Sequence, residues 1–407
     1  MSKTATLGPP VEPAPEIVRQ TFRWDMLRGA SQGVLESVQQ AFALVIAIRV
    51  FHASEMLKPF VAAGWGLGLL FGPFIMPLLG RLPLRPSSLA ALCWLLTGAA
   101  LALSAMMPTI QTYVIVVLCA QFLMAQNVPL ITQLLSDNYP ASQRGKRLAM
   151  SNLMLALSGV GAATIFGWLL DANLDYYRIV LLISAAVAWA GAFAFWRIPS
   201  SRDAAPRVRN PLEHLELVRK DTIFRQMLIG WMFMGLGNLM MLPLRAEYLA
   251  NPAYGLQLSN TEISLLLVTY VAVFRILSTF VWGYLFDRFD LIYTRIAVNL
   301  SFMAYILIFF HAQEMWQLVI GSLFFGIATG GGGILWQIWV TKVAPPHLVG
   351  AYMSIHGGFT GLRSTFAPFL GFGILAWAQP SAAAWTSSAL ILISSLLFLP
   401  LRKKLPS

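Results

Sequence analysis

Glu36 stands in a polar series, Gln32, Glu36, Gln39 and Gln40, set in an otherwise apolar stretch. The spacing i, i+4, i+7, i+8 puts all four on one face of a helix. A carboxylate held among amides, away from bulk water, can trade a proton as a neighbouring charge arrives or leaves. A second series, His356, Thr360, Arg363 and Ser364, repeats the spacing. Guanidinium groups suit bidentate capture of carboxylate or phosphate, and Arg275 offers another in a third apolar stretch. Further polar groups fall at Gln126, Asn127 and Gln133, at Asn238, and at Thr329 and Gln337 beside Trp336 and Trp339. These residues are read as the lining of a substrate or coupling cavity. The alternative is that they hydrogen-bond helices to one another and meet no ligand.

Catalytic constellations are missing from the sequence. There is no His-Glu-x-x-His, no Gly-x-Ser-x-Gly, and no metal-ligand spacing among the five histidines. No cofactor or metal is expected, and the chain reads as a non-enzyme. An intramembrane enzyme built on Glu36, His356 and an arginine is the least favoured reading. Gly330–Gly333 is not a phosphate loop, because no Gly-Lys-Ser/Thr follows it. It reads as a place where another backbone approaches closely. Cys93 and Cys119 sit in apolar runs and read as small buried hydrophobes.

The elements that must position these groups follow from composition. Of 407 residues, 57% are hydrophobic and 11% charged, against about 25% charged in ordinary soluble domains. Runs long enough to span a bilayer, about 20 residues each, fall near 24–51, 56–82, 87–107, 110–135, 145–170, 177–196, 221–248, 260–286, 291–311, 313–341, 346–377 and 382–401. They are too long and uniformly apolar for barrel strands. The fold class is an all-α integral membrane protein with twelve transmembrane helices. Glu36, Arg275, Arg363 and His356 are the ionisable side chains placed inside those spans. Each such charge costs at least about 2.5–3.5 kcal/mol near the bilayer centre and so marks a functional position.

Residues 1–21, with Pro9, Pro10, Pro13 and Pro15, read as a disordered cytoplasmic tail without the apolar core of a signal peptide. Residues 197–220, with Arg202, Arg207, Arg209, Arg219 and Lys220, read as a cytoplasmic linker. It separates a six-helix half over 22–196 from another over 221–401, with a short tail at 402–407. The net charge of +11 then has an address. One end of the bundle collects most of the bases, and the other has only Arg49, Lys58, Arg178 and Arg245. That is the positive-inside pattern, so the charge reports orientation and not nucleic acid. The reading is a multi-pass protein of the inner (plasma) membrane with both termini cytoplasmic. Arg49 and Arg245 read as interface anchors or as an outer gate with Glu55 or Glu247.

The halves echo each other. Pro140, Gly145, Met150 and Ser151 after the fourth span recur as Pro346, Gly350, Met353 and Ser354 after the tenth. Asn238 aligns with Glu36 under this repeat. Two six-helix copies joined by a loop are typical of transporters built from repeats. Gly283-Tyr-Leu-Phe-Asp287-Arg288-Phe-Asp290 resembles the loop motif of the major facilitator superfamily, Gly-x-x-x-Asp-Arg-x-Gly, with Asp290 at the second glycine. Pro140, Arg144 and Gly145 resemble its Pro-x-x-x-Arg-Gly pattern. Between spans two and three Met76-Pro-Leu-Leu-Gly80-Arg81 keeps the arginine but has lost the acid and the first glycine, and 110–135 lacks the arginine of proton-driven exporters, which argues against a drug/proton antiporter.

The resemblance implies two pseudo-symmetric six-helix bundles with spans three, six, nine and twelve at the periphery. It also implies gating by Gly283, Asp287, Arg288 and Arg144, in which Asp287 caps a neighbouring helix N-terminus. The function expected is secondary active transport of a small anionic or amphipathic solute by alternating access, coupled to H+ or Na+. The partners are that solute, the coupling ion and the bilayer, with the chain acting as a monomer. Two arginines against the single Glu36 leave one excess positive charge, met either by an anionic substrate on Arg275 or Arg363, or by an arginine–Glu36 pair with Glu36 as the coupling site. A transporter-like protein serving as an assembly factor or receptor is the second reading.

Overall fold

A computed structural model of the chain describes residues 13–201, 215–345 and 348–403, apart from the side chains of Gln337 and Lys403. The tail 1–12, linker residues Arg202, Arg207 and Arg209, the repeat's Pro346, and 404–407 lie outside the described residues. All regular structure among the described residues is helical. In lipid every backbone N–H and C=O must be satisfied within its own segment, and long apolar runs do this as helices. Start signals are local. Proline occupies the first turn of Lys58–Leu79, Pro86–Ser104 and Pro380–Phe398, where its missing N–H costs nothing. Asp221 and Asp290 cap two others through the backbone N–H of Phe224 and Ile292.

The first half comprises α1 (Pro15–Ser37), α2 (Ala43–Arg49), α3 (Lys58–Leu79), α4 (Pro86–Ser104), α5 (Ile110–Ala125), α6 (Asn127–Asn138), α7 (Ala141–Ala172) and α8 (Tyr177–Arg197). A π-helical turn, Val38–Phe42, joins α1 to α2 in one span, and α5 and α6 form another. After the short α9 (Glu216–Lys220), the second half runs through α10 (Thr222–Ala250), α11 (Asn260–Ser264), α12 (Tyr270–Arg288), α13 (Leu291–Phe310), α14 (Met315–Val343), α15 (Val349–Leu375) and α16 (Pro380–Phe398). A second π turn, Leu265–Thr269, joins α11 to α12. Helix α1 begins at Pro15, so 15–21 is helical where a disordered tail was expected. Arg402 and Lys403 likewise extend a 3-10 turn, Leu399–Lys403.

Among the described residues ten spans are long and apolar enough to cross a membrane. The two remaining spans, Pro15–Arg49 and α15, are the ones that hold Glu36 with its amides and His356 with Arg363. The repeat is visible in the packing. In the first half α1 lies against α7 and α8, α3 against α5, and α4 against α5 and α8. In the second, α10 lies against α15 and α16, α12 against α14, and α13 against α14 and α16. Each contact has its counterpart six spans later. Across the halves α3 packs on α15 and α7 on α11, again a symmetric pair.

The α3–α15 crossing is close because two positions lack a Cβ. One added at Gly66 would meet the backbone of Ser364 and Thr365, and one at Gly361 the backbone of Leu69 and Leu70. Small residues at such crossings let helix backbones touch in lipid. The contact then stops. Gly357 and Gly358, one turn nearer the linker, meet nothing within 4 Å. The halves therefore meet at the end remote from the linker, the far end, and part toward the linker end.

Candidate functional site

A cavity of about 460 Å3 lies between the halves. The first span supplies Glu36, Gln39 and Gln40, and α12 supplies Arg275 from the opposite half. Thr360 and Ser364 of α15 and Thr329 of α14 complete the polar wall with Gln121 of α5. Trp65, Leu239, Leu242 and Phe325 make the wall largely apolar elsewhere. Both spans that bring the charged pair carry a π turn beside it, Val38–Phe42 after Glu36 and Leu265–Thr269 before Arg275, and the two turns touch. A π turn inserts an extra residue and re-aims the side chains around it, which is why such turns gather at functional sites.

Glu36 accepts a hydrogen bond from Gln32 Nε2 at 2.8 Å. Gln32 in turn accepts from Arg28, which pairs with Asp25 at 2.7 Å and donates to Ser151 Oγ at 2.7 Å. A ladder thus runs along one face of α1 from the cavity toward the linker end. The guanidinium of Arg275 has no hydrogen-bond partner among the described residues and faces Glu36 without an ion pair within 4.0 Å. A side cavity of about 30 Å3, lined by both residues with Gly33, Ser37 and Ala272, lies at this contact. Glu36 is therefore paired with neither Arg275 nor Arg363.

Several expected lining residues lie elsewhere. Gln126 is buried and donates to Gly68 O at 2.9 Å, tying α5 to α3. Asn127 faces α4, and with its amide turned to match its neighbours it donates to Ala90 O at 3.1 Å and accepts from Trp94 Nε1 at 3.0 Å. Both act as interhelical hydrogen bonds, because their helix face points into the first half. Asn238 of α10 does not line the cavity, and Gln32 reaches it only through Glu36. The side chain of Gln337 lies outside the described residues. Trp336, His356 and Arg363 are also absent from the cavity wall. Thr360, Ser364 and Pro368 form the face of α15 that looks into it. His356 and Arg363 point into the second half, where Arg363 Nη1 donates to Trp231 O at 3.1 Å and Nη2 to Thr360 Oγ1 at 2.9 Å.

Other charged groups are buried where the sequence reading had placed none. Arg245, expected at the interface, is 3% exposed and lines the cavity with its guanidinium 3.9 Å above the Phe325 ring. Arg295, expected at a helix end, is 2% exposed against Trp231. Gln121 enters the cavity wall and donates to Val61 O at 2.8 Å. For Gln121 a usable signal existed, a lone amide within an apolar run. For the arginines there was none, because both lie within about a turn of a span end.

The far end is sealed by contacts between halves. Asp171 of α7 accepts from the backbone N–H of Asn260 and Thr261 at 2.6 and 3.0 Å, capping α11 across the interface. Arg49 donates to Asn260 Oδ1, Leu258 O and Ala250 O. Lys58 bridges Glu55 at 2.6 Å and Glu247 at 2.8 Å. In the adjoining turn, burial pushes the Tyr254 phenol above its ordinary range, with Glu247 and Glu55 adding to the effect.

At the linker end the residues expected to gate make no ion pair among the described residues. Asp287 and Arg288 are exposed, Arg288 lies over Tyr284 at 4.6 Å, and Gly283 meets nothing within 4 Å. The expected cap by Asp287 is not formed; Asp290 instead caps its own following helix, α13. Arg144 donates to Ser136 O at 2.7 Å and Tyr139 O at 3.2 Å, holding the carbonyl end of α6.

Comparison with known proteins places this architecture. A sequence model of the Major Facilitator Superfamily matches residues 37–251 and 246–407. No curated protein sequence matches the chain. Among solved structures, the nucleoside transporter NupG is similar with 12% identity and a TM-score of 0.74, covering 94% of this chain and 98% of that one. A D-xylose-proton symporter gives 15% identity and 0.69 over 94% and 96%. A bacterial homolog of the human lysosomal transporter Spinster, inward-facing and occupied, gives 14% and 0.66 over 96% of each chain. At these identities the likeness speaks to the fold alone. With its two halves both matched by the family model, the chain belongs to the Major Facilitator Superfamily and is a multi-pass membrane transporter, not an enzyme.

Proposed function

We propose that the protein is a secondary active transporter for a small anionic or amphipathic solute, moved by alternating access and coupled to H+ or Na+. The observation that supports this is the pair Glu36 and Arg275. The two groups come from opposite halves, share one cavity, and make no ion pair. A bare guanidinium in a low-dielectric cavity is costly. An anionic solute removes that cost and draws on both halves at once, which makes occupancy felt by the interface. Arg245 supplies a second positive group and Trp65 with Phe325 the apolar surface, fitting a solute with one charged and one apolar end. Glu36 is the coupling carboxylate in this reading, and the ladder Gln32, Arg28, Asp25 orients it.

The linker end is assigned to the cytoplasm and the bilayer to the plasma membrane, so the present arrangement is inward-open. The chain works as a monomer of two halves, 22–196 and 221–401, with helix α1 reaching back to Pro15. Asp287, Arg288 and Arg144 latch the linker end in the opposite state. The test is uptake into proteoliposomes across a panel of organic anions with and without a pH or sodium gradient. Arg275→Ala abolishes uptake of the solute found, and Glu36→Gln removes its gradient dependence. Intact transport by Arg275→Ala defeats the anion assignment, and unchanged gradient dependence in Glu36→Gln defeats the coupling assignment.

A further inference from the structure

The core of the second half holds two arginines and a histidine that the cavity does not use. Around the Trp231 ring stand Arg295, its Cζ 3.8 Å from the ring centre, Arg363 at 5.6 Å, and His356 with ring centres 5.1 Å apart. All three are at most 3% exposed. Arg295 makes no hydrogen bond from Nε, Nη1 or Nη2, His356 none from either ring nitrogen, and Arg363 none from Nε. The indole N–H groups of Trp231 and Trp339 are equally unpartnered. Apart from one nitrogen of a neutral histidine, every one of these atoms can only donate. No carboxylate lies within 4.0 Å of either guanidinium among the described residues.

The first half solves the same problem differently. Its buried Arg28 spends its donors on Asp25, Gln32 and Ser151. Among its described residues the second half brings no such acid to its buried arginines, yet its sequence makes room for the charge. A Cβ at Gly235 would run into Cδ and Nε of Arg363. Stacking a guanidinium on an indole offsets part of the desolvation cost. It leaves the N–H edges unanswered, and buried donors without acceptors are destabilising. A donor excess with net positive charge and aromatic walls fits an anion. The penalty for dehydrating an ion climbs steeply with its charge, so a weakly hydrated monovalent ion suits this apolar setting better than sulfate or phosphate.

We infer that the cluster Arg295, Arg363, His356 and Trp231 binds a small monovalent inorganic anion of the chloride class as a structural counter-ion, separate from the transport cavity. The assignment does not rest on what the cavity carries. The test uses the purified full-length protein in detergent. Thermal unfolding is followed against sodium chloride, bromide or nitrate, balanced with gluconate at constant ionic strength. A saturable rise in Tm with the halide is expected. Arg295→Gln abolishes that rise, whereas Glu36→Gln retains it. Crystals grown in bromide give an anomalous peak beside Arg295 and His356.

Equal Tm in chloride and gluconate, or bromide bound only elsewhere, overturns the inference. An equal, Arg295-dependent rise with sulfate overturns the monovalent assignment. Should Arg295→Gln not fold, Trp231→Phe keeps a ring and removes one donor. It raises the half-saturating chloride concentration several-fold, and an unchanged value counts against the site.

Discussion

Lys58 and Glu247 form a buried ion pair between the halves, 2.8 Å long with side chains 3% and 0% exposed. Lys58→Met removes the cation and leaves Glu247 with Asn251 as its remaining partner. Breaking a buried pair by deleting one member costs about 3–5 kcal/mol. Asn251 still donates to Glu247 and softens the loss, so the cost is about 2–3 kcal/mol. The pair spans the far-end interface, and in the proposed alternating-access cycle it is absent once that interface opens, so the cost falls on the far-end-closed state alone. At about 1.4 kcal/mol per tenfold, the equilibrium moves roughly 30- to 150-fold toward the far-end-open state.

The reporter is a cysteine at Gly357, where nothing lies within 4 Å at the linker end, in a background with Cys93 and Cys119 replaced. Labelling of Gly357→Cys by a water-soluble maleimide is fast in the parent and slows in Lys58→Met. Replacing both partners with apolar residues, Lys58→Met with Glu247→Leu, recovers most of the loss, because removal of a whole pair is close to neutral. Unchanged labelling in the single variant, or a double variant as perturbed as the single, rules out the pair as a far-end latch.

Three further outcomes follow from the same contacts. Asp171→Ala strips the cap from α11, costs about 1 kcal/mol of the far-end-closed state, and slows Gly357→Cys labelling less than Lys58→Met does. Gly361→Leu drives a side chain into the backbone of Leu69 and Leu70. It costs about 1–3 kcal/mol by overpacking, read as a lower Tm or as the same labelling shift. Asp25→Ala leaves Arg28 buried without its carboxylate, and the protein loses about 3–5 kcal/mol of stability in thermal unfolding, while Asp25→Ala with Arg28→Met regains most of it.

Helix number, the two-half repeat and the ionisable groups that each span carries were legible in the sequence, because apolar run length and polar spacing act within one span at a time. Bilayer length dictates where a helix runs, and a period of 3.6 residues dictates which groups share its face. Which face meets which neighbour is a property of pairs of spans, and spacing within one span does not encode it. Thr360 and Arg363 are three residues apart, yet α15 is rotated so that Thr360 meets the cavity and Arg363 the Trp231 core. Gln126 and Asn127 turned inward to bond α3 and α4. Arg245 and Arg295 sat near helix ends in one dimension, but neighbouring helices close over them, so only packing made them buried. The sequence alone determined a twelve-span repeat protein and the charges it must shelter. The tertiary structure decided which charges share a cavity, which are paired, and which remain without a counter-charge, because desolvation and pairing depend on atoms brought together from distant spans.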